Sequence, residues 1–126
     1  MIKSLLSPAA LTLALLLAPA AQAHVSLAGS KPAANATVSK VTSVALHFSE
    51  KLIPATMKVE LVMTGMPGMK DHPPMKMPFT SAMGKDGKSM TLQMKRALVP
   101  GTYKVKWTAA GTDGHRMGSE FSFTVK

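Results

Sequence analysis

From Tyr103 to Ala109 every second residue is apolar: Tyr103, Val105, Trp107 and Ala109, with Lys104, Lys106 and Thr108 between them. A period of two belongs to extended chain with one face on a core and the other in water. The same alternation returns at Val44, Leu46 and Phe48, at Met57, Val59 and Leu61, at Met90, Leu92 and Met94, and at Phe121, Phe123 and Val125. His24 to Leu27 predicts a short first strand. Turn chemistry separates these runs: SKPAANA from Ser30 to Ala36, a hairpin-like Gly84-Lys85-Asp86-Gly87, and a polar Thr112-Asp113-Gly114-His115. Pro100-Gly101 has the order that a type II turn prefers. No segment after the leader has a helical period, so the expectation is an all-β antiparallel sandwich or small barrel.

The leader is residues 1–23. Lys3 gives a short positive end, Leu5 to Leu17 is almost wholly apolar, and Ala21-Gln22-Ala23 fits a small-residue cleavage site. That is the pattern of a secretory signal peptide, too short for a membrane anchor. Residues 24–126 then form one domain. The chain has no cysteine, which excludes thiolate zinc sites, blue-copper sites and cysteine nucleophiles. Its net charge is +9, but the lysines are scattered along the strands and there is one Trp and one Tyr. This is a solvated surface rather than a nucleic-acid face.

The stretch Met63 to Met77, MTGMPGMKDHPPMKM, does not fit the alternation. It carries Met63, Met66, Met69, Met75 and Met77 around His72, with Met83 just beyond, and is broken by Pro, Gly and charged residues. Methionine usually fills gaps in a core, yet this segment reads as a loop. Thioether is a soft ligand that selects Cu(I), and imidazole suits either copper state. The plainer readings are a satellite hydrophobic cluster or an adhesive protein-binding surface. Met63 also continues the Met57-Val59-Leu61 face, so periodicity by itself assigns it to the core. Met57, Met90 and Met94 are expected in the core and His47 on a solvated strand face.

Cleavage after Ala23 makes His24 the first residue of the mature chain. Its α-amine and ring Nδ1 can then close one chelate ring on a metal, and the amine loses its proton readily near neutral pH. Nitrogen and oxygen donors in a tetragonal set favour Cu(II). Candidates for the other corners are Asp113 and His115, two apart and so on one face of an extended segment, and Glu50 at a strand end.

Residue type and spacing together resemble the copper-resistance protein C (CopC/PcoC-type) family of periplasmic copper carriers, across residues 24–126. The resemblance rests on a histidine directly after A-x-A, LHFSE (Leu46–Glu50), LVMTGMPGM (Leu61–Met69) with a following histidine, and GTYKVKW (Gly101–Trp107) ahead of D-x-H. It implies a Greek-key β-sandwich of about seven or eight strands, with copper bound at both ends and no enzymatic activity. It further implies a Cu(II) site of His24, Glu50, Asp113 and His115, and a Cu(I) site of Met63, Met66, Met69, His72 and Met75. A membrane copper transporter or a periplasmic copper oxidase is the implied partner. Two departures stand out. Lys70 and Asp71 lengthen the approach to His72 by one residue, leaving Met77 as a replacement thioether, and Arg116 follows His115 where the family tends to have proline. An amino-terminal histidine with a second histidine also resembles the copper brace of polysaccharide-oxidising enzymes. Small size, few aromatics and a carboxylate in the coordination sphere weigh against that alternative.

Overall fold

The computed structural model describes residues 24–69 and 72–126; the expected leader lies outside the described residues, as do Lys70 and Asp71. Nine strands follow in order: β1 (Leu27–Lys31), β2 (Thr37–Val38), β3 (Ser43–Phe48), β4 (Lys58–Gly65), β5 (Met75–Lys76), β6 (Thr80–Met83), β7 (Ser89–Gln93), β8 (Gly101–Ala110) and β9 (Arg116–Val125). One 3-10 turn, Pro54–Thr56, precedes β4. The strands form two sheets, ordered β1-β3-β7-β6 and β2-β9-β8-β4-β5. Pairing is antiparallel except where the two residues of β2 run parallel to the end of β9. This is the expected all-β Greek-key sandwich, with nine strands instead of seven or eight.

The alternation read from the sequence is what closes the sandwich. Tyr103, Val105, Trp107 and Ala109 of β8 are buried, facing Val44, Leu46 and Phe48 of β3 and Leu92 of β7 in one continuous core. Phe48 meets Trp107 edge to face at 4.9 Å between ring centroids, and Tyr103 stacks on Phe123 at 5.6 Å. Each such side chain contributes about 1.5–3 kcal/mol by leaving water. The outer face of the larger sheet carries the charges, with Lys104 beside Glu120 at 3.1 Å and Lys76 beside Glu60 at 3.4 Å.

Two local expectations change. The first strand begins at Leu27 and runs into the segment read as turn, because Gly29 to Lys31 pair with Ala45 to His47 of β3. Gly101 is not in a positive-φ turn; it opens β8, where a Cβ would lie 2.6 Å from the Gly65 carbonyl oxygen and 2.9 Å from Met63 Cε. Glycine there permits close approach of β4 and β8. The Pro-Gly turn occurs instead at Pro67-Gly68, with Gly68 at φ 78°. The expected Gly84–Gly87 turn does join β6 to β7, with Gly84 N–H donating to Ser89 O at 2.9 Å.

Candidate metal centre

The far end of β8 sets up the first cluster. Past Ala110, Gly111 bridges to Leu52, and the Gly114 N–H donates back to Gly111 O at 2.9 Å, with Gly114 at φ 82°. This tight return places Asp113 at the tip and His115 at the entry to β9. Asp113 Oδ1 accepts the His115 backbone N–H at 3.0 Å, a local bond that orients the carboxylate. Its other oxygen, Oδ2, is then 3.3 Å from His115 Nδ1 and 3.0 Å from His24 Nδ1.

His24 arrives from the other sheet. Val25 is 1% exposed and anchors the chain in the core. Ser26 is tied to Ser49, with Ser49 N–H donating to Ser26 O at 2.9 Å and Ser26 N–H to Ser49 Oγ at 3.0 Å. His24 Nδ1 and His115 Nδ1 are 3.4 Å apart. Residues 89 and 91 positions apart in sequence therefore present three donor atoms to one point. Adjacent donors about 2 Å from one ion in a tetragonal set lie about 2.8 Å apart, so the cluster is within a small adjustment of that geometry. The His115 backbone N–H holds Asp113 below the usual carboxylate range, assisted by the His24 ring and opposed by partial burial. That keeps an anion between the imidazoles.

Glu50 is half-buried on the neighbouring segment, between Ser49, which binds Ser26, and Leu52, which bridges Gly111. Its carboxylate stands outside the three-residue cluster. Arg116 Nη1 donates to Thr56 O at 3.1 Å, with Thr108 Oγ1 at 3.5 Å, so its charge is engaged on the 3-10 turn. Thr56 Oγ1 also accepts the Ala110 N–H at 2.8 Å. Thr56, Ser26 and Ser49 position the ends of the cluster, and only tertiary structure shows it.

The methionine segment lies at the opposite end of β8, where Gly101 abuts Gly65. Met66 and Met69 exchange backbone bonds, N to O, at 3.0 and 2.8 Å around Pro67-Gly68. A pair opposed in this way projects both side chains to one side of the ribbon. Met66 is 41% exposed, Met69 56% and Met75 53%. Met63 differs, at 3% exposed in the core, opposite Tyr103 and in register with Met75. Met77 also packs against the core. The structure thus separates exposed thioethers from buried ones, and Met63 goes with its strand. His72 Nδ1 lies 2.7 Å from Pro73 O, which makes that nitrogen the N–H donor; Nε2 is buried without a hydrogen-bond partner among the described residues. A buried nitrogen with a free lone pair suits a metal ligand.

A small cysteine-free β-sandwich, with an imidazole–carboxylate cluster at one pole and exposed thioethers at the other, is the class that fold and site define. Residues 27–126 match the CopC domain. Copper resistance protein C of Xanthomonas campestris pv. juglandis is 39% identical over 124 residues, covering 98% of this chain and 97% of that protein. Protein YobA of Escherichia coli strain K12 is 32% identical over 116 residues, 88% of this chain and 86% of that one. The crystal structure of PcoC, a methionine-rich copper resistance protein from Escherichia coli, superposes with a TM-score of 0.75 at 38% identity, covering 82% of this chain and 100% of that one. The chain belongs to the copper-resistance protein C family.

Proposed function

We propose that this protein is a non-enzymatic periplasmic copper carrier with two ports of different donor chemistry, serving copper homeostasis and resistance. The observation that carries the reading is the convergence of His24, Asp113 and His115 within 4.8 Å of one another. In the signal-cleaved chain the His24 α-amine joins its own Nδ1, completing a nitrogen and oxygen set suited to Cu(II). Glu50 stands outside this set. Asp113 supports binding over oxidation, because it occupies a corner that oxygen chemistry would need open. At the other end Met66, Met69, Met75 and His72 Nε2 offer soft donors for Cu(I), the imidazole fitting because its lone pair is otherwise unsatisfied. Met63 joins that set only by leaving the core, whereas Met77 is partly buried against it. Copper is cargo in this reading, exchanged with a membrane copper transporter or periplasmic copper oxidase. Among the described residues no helix is long and apolar enough to cross a membrane.

The test is titration of protein beginning at His24, beside protein with one extra residue before it. Electron paramagnetic resonance of the first should show a Cu(II) centre with nitrogen ligands that the extension weakens or alters. Identical spectra and affinities for the two would refute the terminal-amine site. Replacing Met66 and Met69 together by Leu should weaken Cu(I) binding more than about tenfold and leave Cu(II) unchanged.

A further inference from the structure

Beside the methionine turn lies a half-open cavity of about 410 Å³ whose lining is almost wholly apolar. Met77 and Phe79 form one wall, and Leu98 and Val99 the other, with Lys95 and Arg96 on its margin. Both walls lead directly to the candidate Cu(I) port. Met77 follows β5, which begins with Met75, and its N–H donates to Leu61 O at 2.8 Å. The wall ending at Val99 runs through Pro100 into Gly101, against the Gly65 that precedes Met66. Val99 is 53% exposed, an apolar side chain left in water at the mouth. Lys95 and Arg96, just past the end of β7, are exposed and make no ion pair among the described residues.

We infer that this cavity docks an acidic, apolar-anchored segment of the protein that exchanges copper with the methionine turn; the second half of that statement rests on the Cu(I) reading above. The volume falls within the range of pockets that enclose one ligand or a few side chains, lined mainly by hydrophobic groups with few polar ones. An anchoring Leu or Phe fills such a recess, while carboxylates beside it meet the unpaired Lys95 and Arg96. A partner seated there holds its own metal ligands alongside Met66, Met69 and Met75. The charge pattern selects acidic segments on encounter, and the cavity retains them.

The experiment is a nuclear magnetic resonance titration of the mature chain with three short blocked peptides. One is acidic with a central Leu-Phe pair, one has lysines in place of the acids, and one has Ala-Ala in place of Leu-Phe. The acidic Leu-Phe peptide should shift the amides of Lys95, Arg96, Leu98 and Val99, and the other two should bind at least tenfold more weakly. Val99→Asp, at an exposed position, and the pair Lys95→Glu with Arg96→Glu should each lower its affinity at least tenfold. Equal binding of the acidic and lysine peptides, shifts confined to another surface, or no binding overturns the proposal. Binding of laurate but not of the peptide also overturns it, making the cavity a lipid site. Cu(I) affinity is measured on the same samples. Docking without Cu(I) binding refutes the copper reading of the turn and leaves the cavity assignment standing; Cu(I) binding without docking does the reverse.

Discussion

Gly101→Ala tests whether the methionine turn is held by the close approach of β4 and β8. A Cβ on residue 101 meets the Gly65 carbonyl oxygen at 2.6 Å, and that atom is backbone. The second contact, Met63 Cε at 2.9 Å, is the end of a flexible side chain and can rotate away. The oxygen can move only if the end of β4 moves, and Met66 is the next residue. Overpacking of this kind typically costs about 1–3 kcal/mol. For a domain of this size that is roughly a 4–20 °C fall in Tm. Gly29→Ala supplies the control, since a Cβ there has nothing within 4 Å and should change stability by less than about 0.5 kcal/mol. Urea unfolding of both variants measures the difference, and Cu(I) competition titration reads displacement of the turn. A Gly101→Ala protein as stable as the control, with unchanged Cu(I) affinity, would show that the strand ends do not hold the turn.

Two further outcomes follow from the placement of single side chains. Met63→Ala should destabilise by about 2–5 kcal/mol, as truncation of a buried side chain does, whereas Met63→Leu should cost less than about 1.5 kcal/mol. If Met63→Leu also abolishes Cu(I) binding, Met63 is a ligand despite its burial. In the copper-free protein the Asp113 carboxylate has a depressed pKa, so its hold on the loop is fully present above the ordinary value of 3.8 and is lost as pH falls through the lower folded value. Carbon-13 titration of the carboxyl should place its midpoint below 3.8; a midpoint at or above it contradicts the described hydrogen bonds.

The long strands were legible because each buries one face. Tyr103 to Ala109 and Val44 to Phe48 could not be misread, since slipping by one residue would put Lys104 and Lys106 of the first, or His47 of the second, in the core. The short edge strands were not legible. Thr80–Met83 is largely exposed and β5 has two exposed residues, so neither leaves an apolar period to read. Arg116 to Ser119 leaves no such period for the same reason: that part of β9 is exposed, and its pairing with β8 alone makes it strand. Of the candidate residues, the chemistry of His24, Asp113 and His115 was visible, but their meeting depends on Val25, Ser26 and the Gly111–Gly114 return. Among the methionines, periodicity correctly placed Met63 in the strand. Glycine chemistry was misassigned at Gly101, where the requirement is a neighbour's backbone rather than its own φ.

The two candidate ports sit at opposite ends of one strand, and that limits how the ion can travel. β8 has ten residues, which at about 3.3 Å per residue separates its ends by roughly 30 Å. Unit charges that far apart in water interact by only about 0.14 kcal/mol, and salt screens most of that within a Debye length of about 8 Å. Occupying one port should therefore leave the affinity of the other within about a factor of two. Ag(I), a soft monovalent ion that does not change oxidation state, can fill the methionine turn while Cu(II) is titrated at the other end. A change beyond about fivefold would mean that the sandwich couples the two ends conformationally, and the picture of independent ports would fail. The same distance forbids a direct hop when bound Cu(II) is reduced, since no side chain spans it. Transfer to the thioethers must then go through solution, a partner or a second copy of the chain. Its rate under a constant excess of reductant should rise with total protein concentration if copies exchange directly, and a concentration-independent rate with no free copper detectable by a chelator would refute that route.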